Sequence, residues 1–132
     1  MREIKFRGKT EEMNSWWTYG NLVICDNGDY QIGNCPRYGD IYYRNKVFKE
    51  TVGQYTGLHD KNGKEIYEGD IVKVRKWSSF ETEVVKFDKG CFYAGMHYGS
   101  STRTTLKLIQ PKMTEVIGNI YENKELLNET NR

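Results

Sequence analysis

The side chains of this chain that could act as strong nucleophiles are three cysteines, Cys25, Cys35 and Cys91. A thiol nucleophile needs a base to activate it, and the chain has two histidines, His59 and His97. Cys91 and His97 are separated by a predicted strand and loop, so we interpret the thiol as a small apolar core residue and the imidazole as an ordinary loop side chain. Cys25 and Cys35 are interpreted in the same way. Because the cysteine spacings match no zinc pattern, we expect no metal site.

Acid–base catalysis would have to use the carboxylates of residues 53–74. These side chains fall in predicted turns, where Asp and Glu commonly bind backbone groups or face water. No glycine-rich dinucleotide fingerprint follows a strand and opens a helix. We therefore expect a protein that is not an enzyme and uses no cofactor. The alternative, an unrecognised enzyme, requires one pocket that gathers four side chains: Asp60, Glu68, Asp70 and His97.

The same stretch resembles two ligand-binding loops and departs from both. Five residues separate Gly57 from Gly63 where a phosphate-binding loop has four, and Glu65 stands where Ser or Thr would bind magnesium. In a calcium loop that starts at Asp60, the glycine would fall at position four instead of six, and position twelve would be Ile71. Since an isoleucine cannot bind a cation, neither loop assignment holds.

The position of these carboxylates depends on a hairpin, for which Asn62-Gly63 is the strongest local signal. The pair favours a type I′ turn, because Asn tolerates positive φ and Gly has no Cβ. It predicts that residues 55–58 and 64–67 pair antiparallel. A second Asn-Gly pair predicts a similar turn over residues 26–29.

Beyond the hairpin, residues 71–76 alternate between apolar and basic side chains. This period of two predicts a strand with Val72 and Val74 buried and with Lys73 and Arg75 exposed. Further strands are predicted at 3–7, 16–24, 30–33, 41–43, 46–52, 82–88, 91–96, 104–109 and 114–121. A short helix is predicted at 123–128, capped by Asn123, with Leu126 and Leu127 docked on the sheet.

Three of these strands carry specific expectations. In the first, Ile4 and Phe6 should share one face, and Glu3, Lys5 and Arg7 the other. In the second, Gly20 suggests a bulge or a close backbone approach. In the strand at 82–88, Val85 and Phe87 should face inward and Val84, Lys86 and Asp88 outward.

Composition and length support one β-rich domain. Ten Tyr, five Phe and three Trp accompany thirteen Gly and only two Pro in 132 residues, which favours strands joined by turns. We predict an all-β or β-rich fold: a small antiparallel barrel-like or sandwich unit with an N-terminal β arm or sheet and one short C-terminal helix. The single domain 1–132 has a possible subdivision into an N-terminal β region, 1–50, and a barrel-like β region, 51–132.

Several segments resemble the YopX family of phage and prophage proteins. They are MREIKFRGK (1–9), WTYGNL (17–22), ETVGQYTGL (50–58), DKNGKEIYEGDIV (60–72) and EVIGNIYENKELL (115–127). They follow the family order and span nearly the whole chain. One departure is Lys124, where relatives often carry a proline that would preset the first helical φ. The resemblance implies a β-rich, self-associating cytoplasmic protein of a phage or prophage, and it implies no catalytic residue or substrate.

Nucleic-acid binding is the main alternative function. Lys73, Arg75 and Lys86 are predicted on the outward faces of two paired strands, with Trp77 and Phe80 at the loop between them. Basic side chains beside aromatic rings can hold a single strand through phosphate contacts and base stacking. The competing interpretation is an ordinary solvated face, since acidic residues are interspersed there.

Six aromatic side chains exceed what one small core can bury, which points to self-association: Trp16, Trp17, Tyr19, Tyr38, Tyr42 and Tyr43. Trp16 and Trp17 are adjacent on a predicted strand, so they must face opposite sides, and Tyr42 and Tyr43 follow in a later strand. Tyr and Trp are enriched in interface cores, which makes these four residues candidates for an interface between copies. The alternative is that the outer Trp is half covered by long Lys side chains.

Charge and targeting signals suggest a cytoplasmic protein of a bacterial host. The net charge of +2 is close to neutral, which does not by itself indicate nucleic acid. The N-terminus is charged at positions 2, 3, 5 and 7 and no apolar run could span a membrane. We expect a homo-oligomer with a protein or nucleic-acid partner and no membrane association.

Overall fold

The computed structural model describes residues 3–34, 43–76, 79–88, 90–94, 104–105 and 111–129. Within these residues the fold is all-β, with two antiparallel sheets and one short C-terminal helix, so the predicted fold class is confirmed. The chain divides into two compact units, residues 1–55 and 56–132. The possible boundary suggested by the sequence lies between residues 50 and 51.

The N-terminal unit is a curled antiparallel sheet with the strand order β4-β3-β2-β1-β5. At the end of β1, Thr10 forms a bridge with Val47 in β4. Backbone hydrogen bonds from Glu11 to Lys46 and from Phe48 to Lys9 flank this bridge, so the sheet bends far enough for its edge strand to meet β1. The strands are β1 (Phe6–Lys9), β2 (Trp17–Ile24), β3 (Tyr30–Asn34), β4 (Tyr43–Val47) and the beginning of β5 (Gly53–His59), which continues into the second unit.

Close backbone contacts hold this curled sheet together. Ile32 and Val47 are buried at its centre. A Cβ on Gly20 would lie 2.5 Å from the carbonyl oxygen of Gly33, and a Cβ on Gly33 would lie 1.7 Å from that of Tyr43. The close backbone approach predicted at Gly20 is therefore confirmed, and only glycine fits at either position.

The first strand begins at Phe6 and not at the predicted residue 3. Ile4 is exposed and precedes β1, whereas Arg7 is only 5% exposed. The Arg7 guanidinium lies 4.6 Å from the ring centre of Trp17, and Arg7 pairs with Tyr19 across the sheet. The Trp17 ring therefore covers part of the face of β1 that carries Arg7.

The C-terminal unit contains a five-stranded antiparallel sheet with the order β10-β9-β8-β7-β11, while β6 pairs with β5. Its core consists of Ile66, Val72, Val74, Val85, Ala94 and Val116. The elements are β6 (Glu65–Tyr67), β7 (Asp70–Lys76), β8 (Ser79–Asp88), β9 (Cys91–Ala94), β10 (Thr104–Thr105), β11 (Thr114–Asn119) and the helix α1 (Glu125–Glu129).

Strand β7 has the two faces that the sequence predicts. Val72 and Val74 are buried, and Lys73 and Arg75 are exposed. This confirms the period-two interpretation of residues 71–76.

Strand β8 departs from the predicted faces, because Val84 is buried and Phe87 is 49% exposed. The strand changes partner at this point: Val84 is the last residue paired with β7, and Val85 is the first paired with β9. Helix α1 also contacts β8. Both faces are therefore covered at the centre of the strand, while Phe87 lies near its end against Phe92, with ring centres 4.9 Å apart.

The Asn62-Gly63 hairpin reverses where predicted but with a different turn. The Gly63 N–H donates to the Asp60 carbonyl, and the Asp60 N–H donates to the Lys64 carbonyl. The turn is therefore centred on Lys61 and Asn62, and Gly63 follows it with φ of 82°. This is a three-residue loop rather than the predicted two-residue type I′ turn.

The loop at Asn27-Gly28 has the same construction. The Gly28 N–H donates to the Cys25 carbonyl, and the Cys25 N–H donates to the Asp29 carbonyl. Gly28 has φ of 93°. In both loops the glycine is the residue with left-handed backbone that follows the turn. It is not one of the two central residues of the turn.

Asn123, the predicted helix cap, hydrogen-bonds to backbone groups on both sides of it in sequence. Its side-chain oxygen accepts the Asn119 N–H at 3.1 Å, and its backbone carbonyl accepts the Leu126 N–H. Asn123 thus stabilises the turn that precedes α1. Leu126 and Leu127 are half-buried, consistent with the contact between α1 and β8.

Candidate functional site

Asp60, one of the carboxylates considered for catalysis, accepts three backbone hydrogen bonds. Its Oδ1 accepts backbone N–H groups of Asn62 and Lys64, each at 2.9 Å, and its Oδ2 accepts that of Val116 at 2.9 Å. In addition, the Lys61 N–H donates to the Thr114 carbonyl. The hairpin loop therefore satisfies backbone groups along the outer edge of β11, and the carboxylate holds the loop to that strand.

The charge state of Asp60 reflects these contacts. Burial alone would raise the pKa of the carboxyl, but the backbone hydrogen bonds from Val116, Lys64 and Asn62, together with the charge of Lys64, outweigh burial. The pKa is therefore held below its usual value, and the carboxylate stays ionised.

The neighbouring acidic side chains also make hydrogen bonds within the fold. Asp70 is buried, and its Oδ2 accepts the Tyr67 N–H at 2.7 Å. Glu65 accepts the Tyr67 hydroxyl at 2.9 Å, whereas Glu68 lines a cleft described below. The pocket that an enzyme would require also involves His97, which lies outside the described residues.

The described cysteines are free thiols. Cys25 and Cys91 are both half-buried, and the Cys91 Sγ lies 3.7 Å from the Asp88 carbonyl oxygen. Cys35 lies outside the described part of the chain. Where the structure does describe the chain, no three His, Cys, Asp or Glu side chains are grouped as a metal site would require.

The predicted basic surface is partly assembled at one end of the β7–β8 pair. Arg75 is paired with Phe80, and Lys73 with Thr82. The Lys73 Nζ lies 4.6 Å from the ring centre of Phe80, which is 58% exposed. We call Lys73, Arg75 and Phe80 the basic cluster. Glu115, opposite Lys73 in β11, places one acidic residue at its side.

Lys86 lies apart from the basic cluster, although alternation places it on the same face of β8. It is six residues from Phe80, a distance of about 20 Å at roughly 3.3 Å per residue. Between them, Val84 and its partner Ile71 are buried, so the exposed face is interrupted. The fourth predicted residue, Trp77, lies outside the described residues.

Lys86 lines a cleft of about 320 Å³ in the C-terminal unit. Backbone hydrogen bonds from Gly69 to Val85 and from Ile120 to Gly69 join two of its walls. A Cβ on Gly69 would lie 3.0 Å from the Tyr121 ring. Glu68 and Asp88 also line the cleft, so its charged groups have both signs.

The candidate association residues differ in their environments. Trp16 is 47% exposed and Tyr43 is 67% exposed. Trp17 is half-buried, with the Arg7 guanidinium at 4.6 Å and the Lys9 Nζ at 5.8 Å from its ring. Trp17 thus fits the alternative of an aromatic ring covered by basic side chains. Tyr42 lies outside the described residues.

The N-terminal unit exposes further apolar side chains besides Trp16 and Tyr43. They are Ile4, Met13, Tyr19, Ile24 and Phe48. Tyr19 belongs to the surplus of aromatic residues seen in the sequence, whereas sequence reasoning did not single out Met13, Ile24 or Phe48. For Met13 the sequence holds no signal, because an apolar residue outside a periodic strand gives no indication of its exposure.

Comparison with known proteins identifies relatives of the whole chain. A family model described as YopX protein matches residues 5–128. The chain is similar to the crystal structure of protein EF1440 from Enterococcus faecalis, with 23% identity, a TM-score of 0.58 and coverage of 96% of this chain and 99% of that one. It is also similar to protein yopX from Bacillus subtilis, with 25% identity, a TM-score of 0.57 and coverage of 96% and 97%.

No curated protein matches the chain. Among the described residues, no helix has the length and apolar character needed to cross a bilayer. Because the family model spans nearly all of the sequence, the chain belongs to the YopX family.

Proposed function

We propose that this YopX-family chain is a non-enzymatic protein of a phage or prophage, which associates with itself and acts by binding another macromolecule in the bacterial cytoplasm. The observation that carries the proposal is the set of large apolar side chains exposed in the N-terminal unit, among them Trp16 and Tyr43. Exposed aromatic rings of this kind are typical anchors of protein interfaces.

The environments of the acidic side chains also support a binding protein. Asp60 and Asp70 accept backbone hydrogen bonds, and such carboxylates hold the fold together instead of exchanging protons with a substrate. Light scattering coupled to size exclusion at micromolar concentration tests the self-association. An oligomer supports it, and a strict monomer overturns it.

Nucleic-acid binding is the second candidate, and the basic cluster favours it. Phe80 exposes a ring on which a base could stack, while Lys73 and Arg75 stand beside it to contact phosphates. Anisotropy titration of a labelled single-stranded oligonucleotide at about 50 mM salt is the sensitive test, because phosphate contacts are strongest at low salt. A flat titration overturns this candidate.

A matched pair of variants makes the nucleic-acid test specific. Replacing both Lys73 and Arg75 by Ala should reduce the slope of log affinity against log salt by about 1.4, at roughly 0.7 per phosphate contact to a single strand. Lys49, an exposed lysine of the N-terminal unit, provides the control. A similar reduction of this slope in Lys49→Ala would mean that the oligonucleotide is attracted by the overall charge of the protein and not by the basic cluster.

A further inference from the structure

The two Asn-Gly loops have the same backbone construction and differ in their side chains. In each, the glycine has positive φ and donates its N–H to the carbonyl three residues earlier. Both Asn27 and Asn62 are exposed. A Cβ on Gly28 or Gly63 would meet nothing within 4 Å, so both glycines lie in open surroundings.

We propose that Asn62 is a site of spontaneous deamidation in the folded protein and that Asn27 is protected from it. In this reaction the Gly63 nitrogen attacks the Asn62 side-chain carbonyl carbon and forms a C–N bond. The side-chain nitrogen leaves as ammonia, taking the proton that the Gly63 nitrogen gives up. Water then opens the cyclic imide at one of its two carbonyls, leaving either aspartate or isoaspartate at position 62.

The first difference between the loops is how the side-chain amide is held. In Asn27, the Nδ2 donates to the Asp29 carboxylate at 3.2 Å, and the Oδ1 accepts the Asp29 N–H at 3.0 Å. Both bonds must break before the Asn27 amide can turn toward Gly28. Within the described residues, the Asn62 side chain makes no hydrogen bond; its backbone N–H bonds to Asp60.

The second difference is the charge around the reacting nitrogen. The glycine nitrogen must lose a proton to attack, so nearby cations favour the reaction and anions oppose it. Asp26 and Asp29 flank Asn27, and Lys46 offsets one of these charges, since its Nζ lies 3.5 Å from the Asp29 carboxylate. Around Asn62, Lys61 and Lys64 accompany Asp60, while the Lys61 Nζ lies 3.6 Å from the Glu115 carboxylate. The charge difference between the loops is therefore modest and adds to the larger difference in side-chain freedom, and both favour reaction at Asn62.

Modification at Asn62 would act on the loop that holds β11. Isoaspartate inserts one methylene into the backbone between residues 62 and 63, within the loop closed by hydrogen bonds between Asp60 and Lys64. The Asp60 bond to Val116 depends on that loop. We expect aged protein to unfold more easily in its C-terminal unit than fresh protein.

Peptide mapping by mass spectrometry tests the proposal. The intact protein is incubated at mildly alkaline pH, and the deamidated fraction at each asparagine is followed over time, with isoaspartate identified by its fragmentation. In the folded protein Asn62 should react about tenfold faster than Asn27, since the two hydrogen bonds of the Asn27 side chain must break first. In strong denaturant the two rates should come close together.

Variants of Asp29, in the loop that contains Asn27, test whether its carboxylate protects Asn27 from deamidation. Asp29→Ala should accelerate deamidation at Asn27 and leave the rate at Asn62 unchanged, while Asp29→Asn should give an intermediate rate because it keeps an oxygen acceptor. Circular dichroism confirms that each variant is folded. Equal rates at the two sites in the folded wild type, or an unchanged Asn27 rate in Asp29→Ala, would overturn the proposal.

Discussion

Asp60 joins two parts of the C-terminal unit through backbone donors alone. Its carboxylate accepts two N–H groups of its own loop and the Val116 N–H of strand β11, which lies 56 residues away in sequence. An edge strand with unsatisfied backbone groups is a template for unwanted pairing. The loop around Asp60 occupies part of that edge, so a side chain that resembled a cation ligand in sequence has a structural role.

Asp60→Ala should lower the free energy of unfolding by about 3 kcal/mol, because it leaves the buried Val116 N–H without an acceptor. Asp60→Asn keeps one acceptor oxygen and should cost about half as much. Urea unfolding followed by circular dichroism measures both. Asp26→Ala, at an exposed aspartate of the other loop, should change stability by less than about 0.5 kcal/mol. Equal effects of Asp26→Ala and Asp60→Ala would contradict this role.

The same carboxylate predicts a dependence of stability on pH. Because the folded protein holds the Asp60 pKa below 3.8, its contribution is complete well above that pH. The contribution is lost as the pH falls through the folded-state pKa. The stability difference between wild type and Asp60→Asn should therefore shrink between about pH 5 and about pH 2. A difference that stays constant over this range would rule out an ionised Asp60 as its source.

At the scale of elements, local signals located the turns and one strand face, and they failed where an element has more than one partner. Asn-Gly pairs marked both three-residue loops, and the alternation in β7 assigned its buried valines. The buried Arg7 was not foreseeable, because the aromatic ring that covers it belongs to another strand. Nor was the burial of Val84, since the sequence does not reveal that β8 changes partner there.

The candidate sites show the same limit. Period-two alternation correctly predicted that Lys73 and Arg75 are exposed. It could not show that the buried Val84 and Ile71 interrupt the exposed face between these two residues and Lys86. Similarly, the adjacency of Trp16 and Trp17 predicted that their side chains face opposite sides of the strand. It could not show that Arg7 and Lys9 cover the second ring. Which side chains share a surface depends on strand register, which local sequence does not encode.

Gly33 offers a direct test of the register between β3 and β4. An alanine Cβ would lie 1.7 Å from the Tyr43 carbonyl oxygen, so Gly33→Ala must push the strands apart. We expect a loss of about 3 kcal/mol or more in the free energy of unfolding. Gly28→Ala, which has positive φ but open space, should cost only about 1 to 2 kcal/mol. Similar losses for the two variants would contradict this prediction, because they would mean that the strands accommodate the methyl group at position 33 at little extra cost.

At the scale of the whole molecule, the two candidate functions use different units of the chain. The exposed Trp16 and Tyr43 belong to the N-terminal unit, and the basic cluster of Lys73, Arg75 and Phe80 to the C-terminal unit. Substitutions in one unit can therefore be used as controls for the other. Neither function requires the carboxylates that hold the hairpin loop in place.

Replacing Trp16 and Tyr43 by Ser should weaken self-association, because buried aromatic anchors contribute about 2 kcal/mol or more each to an interface. That corresponds to roughly a thirtyfold rise in dissociation constant per residue. Analytical ultracentrifugation over a concentration series measures the shift. Phe80→Ser removes an equally exposed ring from the other unit, so it should leave association unchanged while weakening oligonucleotide binding. If Phe80→Ser dissociates the oligomer and the Trp16 and Tyr43 variants do not, the association surface lies in the C-terminal unit.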